Sequence, residues 1–130
     1  MKLALTGARI FDGYRLHQSC ALLVDDSTII GIVENNDIPD DYTVKELDHG
    51  ILTPGFIDLQ INGAGGVQFN NQPTADAIST MTSAVARFGV TRILPTVITD
   101  SPEITQKAVK AVQESLHQDG GALGIHVEGP

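Results

Sequence analysis

Basic residues are scarce in this sequence. Eight Lys and Arg stand against sixteen Asp and Glu, a formal charge of −8 over 130 residues. Such a balance repels nucleic acid and anionic membrane surfaces unless a local basic patch exists, and none is seen. Cysteine is nearly absent as well. Cys20 stands alone, so no internal disulfide can form, and a reducing cytoplasm is the expected compartment. No apolar run approaches the ~20 residues of a membrane span, and the opening MKLALTGARIFDG is too short in apolar residues for a signal peptide. Internal repeats and low-complexity tracts are missing too. With 42% hydrophobic residues, the remaining class is an ordinary globular chain of one domain, or one small domain and part of another.

Two textures divide what is present. Residues 1–50 carry short β-type runs, LALTGARI, ALLVDD, TIIGIV and TVKELD, separated by turn material at Asp25-Asp26-Ser27 and Asn35-Asn36-Asp37. This half is expected to be all β. Residues 51–130 change period. ILTPGFIDLQI reads as a buried strand, and TADAISTMTSAVARF places Ile78, Met81, Val85 and Phe88 on one helical stripe ended by Gly89. VTRILPTVIT reads as a second strand. Ser101-Pro102-Glu103 supplies an N-cap, a proline at the first helical position and an early acid for a helix lined by Ile104, Ala108, Ala111 and Leu116. Gly120-Gly121 should end that helix, and ALGIHVEGP is a third strand. The expected class is α/β, a βαβαβ unit with a parallel sheet covered on both faces. Three strands leave open edges, so the chain is expected to be the front part of something larger.

Polar residues mark one face of the first strand and one face of the third. Asp58, Gln60 and Asn62 alternate with Ile57, Leu59 and Ile61, and Gly124, His126 and Glu128 alternate likewise. If the sheet closes into a barrel, Gln60, Asn62, His126 and Glu128 meet at the C-terminal ends of the strands, where barrel enzymes keep their chemistry. Asp58 reads as a structural carboxylate accepting backbone N–H groups. Gln60 and Asn62 do not titrate, so they orient but cannot act as bases. His126 reads first as a core histidine, and His17, His49 and His117 receive no role. Glu128 is costly to bury unless it is paired or bound to a metal, and spacing alone leaves both open. The glycines at 63, 65 and 66 do not fit a dinucleotide loop, because Gln68 stands where Gly-x-Gly-x-x-Gly needs its last glycine, and no Gly-Lys-Ser/Thr follows. They suit a turn that passes close to a neighbour.

LTPGFIDLQINGAGGVQFN, ILPTVIT and LGIHVEGP, in this order and at these intervals, resemble the N-terminal part of the N-acetylglucosamine-6-phosphate deacetylases of the amidohydrolase superfamily. The resemblance covers the whole chain. It implies a TIM-type (β/α)8 metal-dependent hydrolase barrel of which residues 51–130 are the first three strands and two helices, preceded over residues 1–50 by part of a small β-sandwich domain. Many amidohydrolases carry His-x-His where Gln60 and Asn62 stand, so the resemblance implies a single divalent ion per subunit, zinc or iron. Glu128 would be its carboxylate ligand, with Gln60, Asn62 and His126 lining the substrate pocket or supporting the ligands. The two metal histidines, the proton-transferring aspartate and the substrate-phosphate groups would all lie beyond Pro130. The implied reaction yields acetate and glucosamine 6-phosphate from a small amino-sugar phosphate, in a homo-oligomeric parent, without nucleic acid or membrane. A second reading is a non-catalytic fragment or subunit that needs a complementing partner. A dihydroorotase-like or deaminase enzyme is disfavoured by the missing His-x-His.

Overall fold

The structure is a computed structural model that describes residues 1–118 and 121–129. It divides into two compact units, Met1–Pro54 and Gly55–Pro130.

The first unit is built from β1 (Lys2–Thr6), β2 (Arg9–Phe11), β3 (Leu16–His17), β4 (Cys20–Asp25), β5 (Thr28–Glu34), β6 (Thr43–Glu46) and β7 (Ile51–Leu52), with a 3₁₀ turn over Asn35–Asp37. Two sheets result. One has the order β5-β4-β1-β6, with β6 parallel to β1, and the other the order β3-β2-β7. The run LALTGARI is therefore two strands in two sheets, broken at Gly7, whose φ of +85° turns the chain where a Cβ would meet Leu47 O at 2.3 Å. Asp26-Ser27 closes the β4–β5 hairpin as expected. Ile51–Leu52, read above as the start of a longer strand, instead pairs in parallel with β2. The core of this unit is small: Ala4, Ala21 and Leu23, flanked by Val33, Ile38 and Tyr42. Beside it, an open cleft of about 410 Å³ is walled mainly by Ile10, Leu22, Ile29, Ile32 and Leu52.

The second unit follows the strand–helix alternation. Its elements are β8 (Phe56–Ile61), a short hairpin of β9 (Gly63–Ala64) and β10 (Val67–Gln68), α1 (Ala75–Ala86), β11 (Val90–Ile98), α2 (Pro102–His117) and β12 (His126–Glu128). Thr74 accepts a hydrogen bond from Ala77 N–H at the start of α1, and Ser101 from Ile104 N–H at the start of α2, where Pro102 needs no donor. β8 and β12 both run parallel to the central β11, giving the order β12-β11-β8. Ile61, Ile93 and Val97 pack with Phe69, Ile78, Met81, Ala108, Ala111 and Val112 into the principal core.

Four expectations need correction. The sheet is not covered on both faces: α1 and α2 pack side by side into one core against the face that carries Ile61, Ile93 and Val97. β8 is not a buried strand: Leu59 is 66% exposed, and Phe56 and Ile57 are exposed as well, because β8 is an edge strand among the described residues. Phe88 falls beyond the end of α1, in the turn that Gly89 makes at φ +82°, and is exposed rather than on the stripe. On α2, Leu116 is exposed, while Val112 and Ser115 take the buried positions. Gly120, expected to help end α2, and Pro130 of the last motif lie outside the described residues.

Candidate active-site edge of the parallel sheet

The polar residues of the second unit gather where the strands end. Gln60 lies on β8 and Glu128 on β12, with β11 between them, yet Gln60 Nε2 donates to Glu128 Oε2 at 2.9 Å. The two side chains therefore share one face and reach across the central strand. Both are solvent-exposed. His126 sits one side-chain repeat earlier on β12, half-buried and in register with Thr96. Asn62 follows β8 directly, and its carbonyl accepts from Phe69 N–H at 2.8 Å. Among the described residues its side chain makes no hydrogen bond to Gln60, His126 or Glu128. Asp58 Oδ1 accepts from Gln60 N–H at 3.1 Å, the structural use expected of it.

Why the face is ordered in this way follows from Pro95. A proline in a central strand has no N–H for the ladder and is confined to irregular positions. The β8–β11 register shifts between Ile93 and Pro95. Thr96, fully buried, compensates: its Oγ1 accepts from Ile61 N–H at 3.0 Å and donates to Leu94 O at 3.2 Å. His126 Nδ1 approaches the same hydroxyl at 3.4 Å.

The glycine-rich turn is built for close packing. Gly65 and Gly66 adopt φ +64° and +82° in the two-residue β9–β10 connection, and a Cβ on Gly63 would meet Val67 O at 2.2 Å. The hairpin delivers Phe69, fully buried, into the core and next to it Asn70, which is 8% exposed. The Asn70 amide bonds both backbone groups of Ile98 at the end of β11 and also donates to Asp100 Oδ2 at 3.0 Å. That hydrogen bond and a second from Ser101 N–H hold the Asp100 carboxyl below the usual carboxylate range. Thr96, Asn70 and Asp100 escaped the sequence reading. Pro95 within an apolar run was the available signal for Thr96. For Asn70 there was none.

What this edge can do chemically is limited and specific. Glu128 offers a carboxylate oxygen suited to a zinc-type divalent ion, and the amide donated by Gln60 is the kind of outer contact that fixes a ligand's orientation. Among the described residues no three His, Cys, Asp or Glu side chains cluster as a metal would require. The residues fit one corner of such a site. The apolar cleft of the first unit is a separate feature, and the one titratable pair on its wall is Asp12 and His17. His17 Nε2 lies 2.8 Å from Asp12 Oδ2, so His17, given no role above, has a structural one.

No family model matches the chain. Curated proteins and solved structures do. The chain is 41% identical over 98% of its length to an N-acetylgalactosamine-6-phosphate deacetylase of Shewanella sp. strain ANA-3, covering 33% of that protein. It is 35% identical over its whole length to an N-acetylglucosamine-6-phosphate deacetylase of Haemophilus influenzae, covering 34% of it. The crystal structure of N-acetylglucosamine-6-phosphate deacetylase from Pasteurella multocida superposes with a TM-score of 0.94 at 37% identity, over all of this chain and 35% of that one. The chain thus spans about one third of the length of these relatives.

Proposed function

Because the chain belongs to the N-acetylglucosamine-6-phosphate deacetylase family as an N-terminal portion of it, we propose that the longer protein hydrolyses the acetamide of N-acetylglucosamine 6-phosphate to glucosamine 6-phosphate and acetate. The observation that carries this reading is the likeness to named deacetylases along the whole of the chain, both units included.

In this reading Gly55–Pro130 is the opening of a (β/α)8 barrel and the two-sheet first unit, Met1–Pro54, is part of a β-sandwich. Glu128 would hold one divalent ion, zinc or iron, together with histidines from later strands. When bound, such an ion polarises the acetamido carbonyl and lowers the pKa of its water. The chain's own residues prepare that position. Gln60 fixes the Glu128 carboxylate through its 2.9 Å hydrogen bond. Gln60 and Asn62, as neutral amides, are poor ligands beside imidazole, so one ion per subunit is expected rather than two. His126, next to Thr96, lies deeper along β12 and would line the substrate pocket. Proton transfer and phosphate recognition belong to residues outside this chain, the longer protein is expected to be a homo-oligomer, and a cytoplasmic setting suits an amino-sugar phosphate.

A second substrate reading has a specific observation behind it, the 41% identity to the galactosamine-type deacetylase. Acetate release by the full-length, metal-replete protein from both N-acetylhexosamine 6-phosphate epimers and from the unphosphorylated sugars separates the possibilities. Preference for the gluco phosphate is expected. Preference for the galacto epimer moves the assignment to the second reading, and no release from either phosphate ends both. Residues 1–130 expressed alone should neither release acetate nor hold metal tightly, since one carboxylate gives little of the affinity of three arranged ligands. If they do work, the non-catalytic reading of this piece and the placement of the site both fail.

A further inference from the structure

At the end of β11 the ladder changes partner. β8 pairs with β11 only as far as Ile61 opposite Pro95, whereas β12 continues to Glu128 opposite Ile98. Ile98 thus extends three residues past the last β8 pair. Ile93 directs its backbone groups to the β12 side, bonding Gly121 O and Leu123 N–H. Along a strand, residues alternate in the neighbour they bond, so Ile98, five positions on, directs its groups to the side that β8 has left. Two unpaired peptide groups there would each cost about 1–3 kcal/mol if buried.

Asn70 fills that place. A carboxamide carries the same acceptor and donor pair as a peptide, and Asn70 uses it like a strand partner: Oδ1 accepts from Ile98 N–H at 3.0 Å, and Nδ2 donates to Ile98 O at 3.3 Å. The second Nδ2 proton goes to Asp100 Oδ2 at 3.0 Å. The amide is 8% exposed, and the neighbouring Phe69, wholly within the core, anchors its backbone. A rigid part of the molecule therefore grips the β11 residue that stands in register with Glu128.

We propose that Asn70 is a positioning residue for Glu128, setting the end of β11 so that β12 presents its carboxylate in one place, where Gln60 meets it. This rests on Glu128 being the metal carboxylate of the full-length protein. Asn70 itself touches neither substrate nor ion.

The test is made on full-length protein, with zinc affinity measured by chelator competition well below the unfolding temperature, and with backbone hydrogen exchange in the metal-free state. Asn70→Ala should bind zinc on the order of 10- to 100-fold more weakly, the usual effect of losing a supporting contact. The Ile98 amide should exchange faster. In the Glu128→Gln background the same substitution should add little, because the carboxylate that it positions is gone. Should Asn70→Ala be insoluble, Asn70→Asp serves: it keeps the acceptor for Ile98 N–H but loses both donated bonds and faces Asp100 with a like charge, and the same weakening is expected. Wild-type zinc affinity in the soluble variant, with Glu128→Gln weakened, overturns the proposal and leaves Glu128 in its role. Equal losses from Asn70→Ala in both backgrounds overturn it too, since Asn70 would then act on the fold at large. Wild-type affinity in Glu128→Gln removes the premise, and the proposal falls with it.

Discussion

The two units solve the same problem with unequal means. Among the described residues the first buries Ala4, Ala21 and Leu23 at its centre, and the second buries ten residues, including Phe69, Ile78 and Met81. The first unit has strands on every side and a wide apolar cleft. Its fixed polar groups, such as Asp12 with His17 and Lys2 with Asp41, sit at exposed edges and tie strands and turns together. The second unit sets its polar groups in a row across three parallel strands, on a sheet fixed from the other face by two helices. Side chains can be held in a working arrangement only on a rigid base. The larger core therefore lies under the candidate chemistry, and the smaller unit carries none.

Four substitutions press on that contrast, from the largest effect to the smallest. Glu128→Gln in the full-length protein should lower kcat/KM by on the order of 10³-fold or more, because metal stabilisation of the transition state is worth several kcal/mol. Steady-state acetate release measures it, and near-normal turnover would strip the second unit of its special standing. Met81→Ala, at a fully buried position of α1, should cost about 2–5 kcal/mol in chemical denaturation, through lost burial and a residual cavity. Thr96→Val keeps the shape and removes the hydroxyl that serves Ile61 N–H, an expected loss of about 1–3 kcal/mol. The same denaturation measurement checks it, and wild-type stability in the variant would contradict it.

The smallest effect belongs to the first unit. His17, followed by the N–H groups of Arg15 and Tyr14, holds the Asp12 carboxyl well below its usual range. A carboxyl whose folded value is depressed contributes stability above its unfolded value of 3.8, and that contribution is lost as the pH falls through the folded value. Asp12→Asn should therefore be slightly less stable than wild type at pH 7, and the gap should close as the solution is taken below pH 3.8. Activity should not move. A gap that widens in acid would mean that the pair works in the opposite sense.

Much of the second unit could be read from sequence because its signals are local. Ser101-Pro102 announces the start of α2 within one turn of the residues that it caps, and the spacing of Ile78 and Met81 reports the face that α1 buries. Period-two spacing grouped Gln60 with Asp58 and Asn62, and Glu128 with Gly124 and His126, but it did not join the two groups, which meet through the Gln60–Glu128 hydrogen bond. The failures are tertiary. Phe88 and Leu116 continue an apolar stripe in sequence but lie past or beside the helix–sheet contact. Ile51–Leu52 read as one strand with β8 because only pairing with β2 reveals the break at Thr53-Pro54-Gly55. Asn70 gives no local sign at all, since its worth depends on where β8 stops relative to β11.

The central claim is that Glu128, at the end of β12, is the metal carboxylate of the longer protein. The most direct measurement is an anomalous difference map from crystals of the full-length protein grown with zinc. The account predicts one strong peak per chain, about 2.0–2.2 Å from a Glu128 carboxylate oxygen, with Gln60 and Asn62 outside bonding distance. A metal bound elsewhere with Glu128 uninvolved, or a second ion held by Gln60 and Asn62, would contradict it.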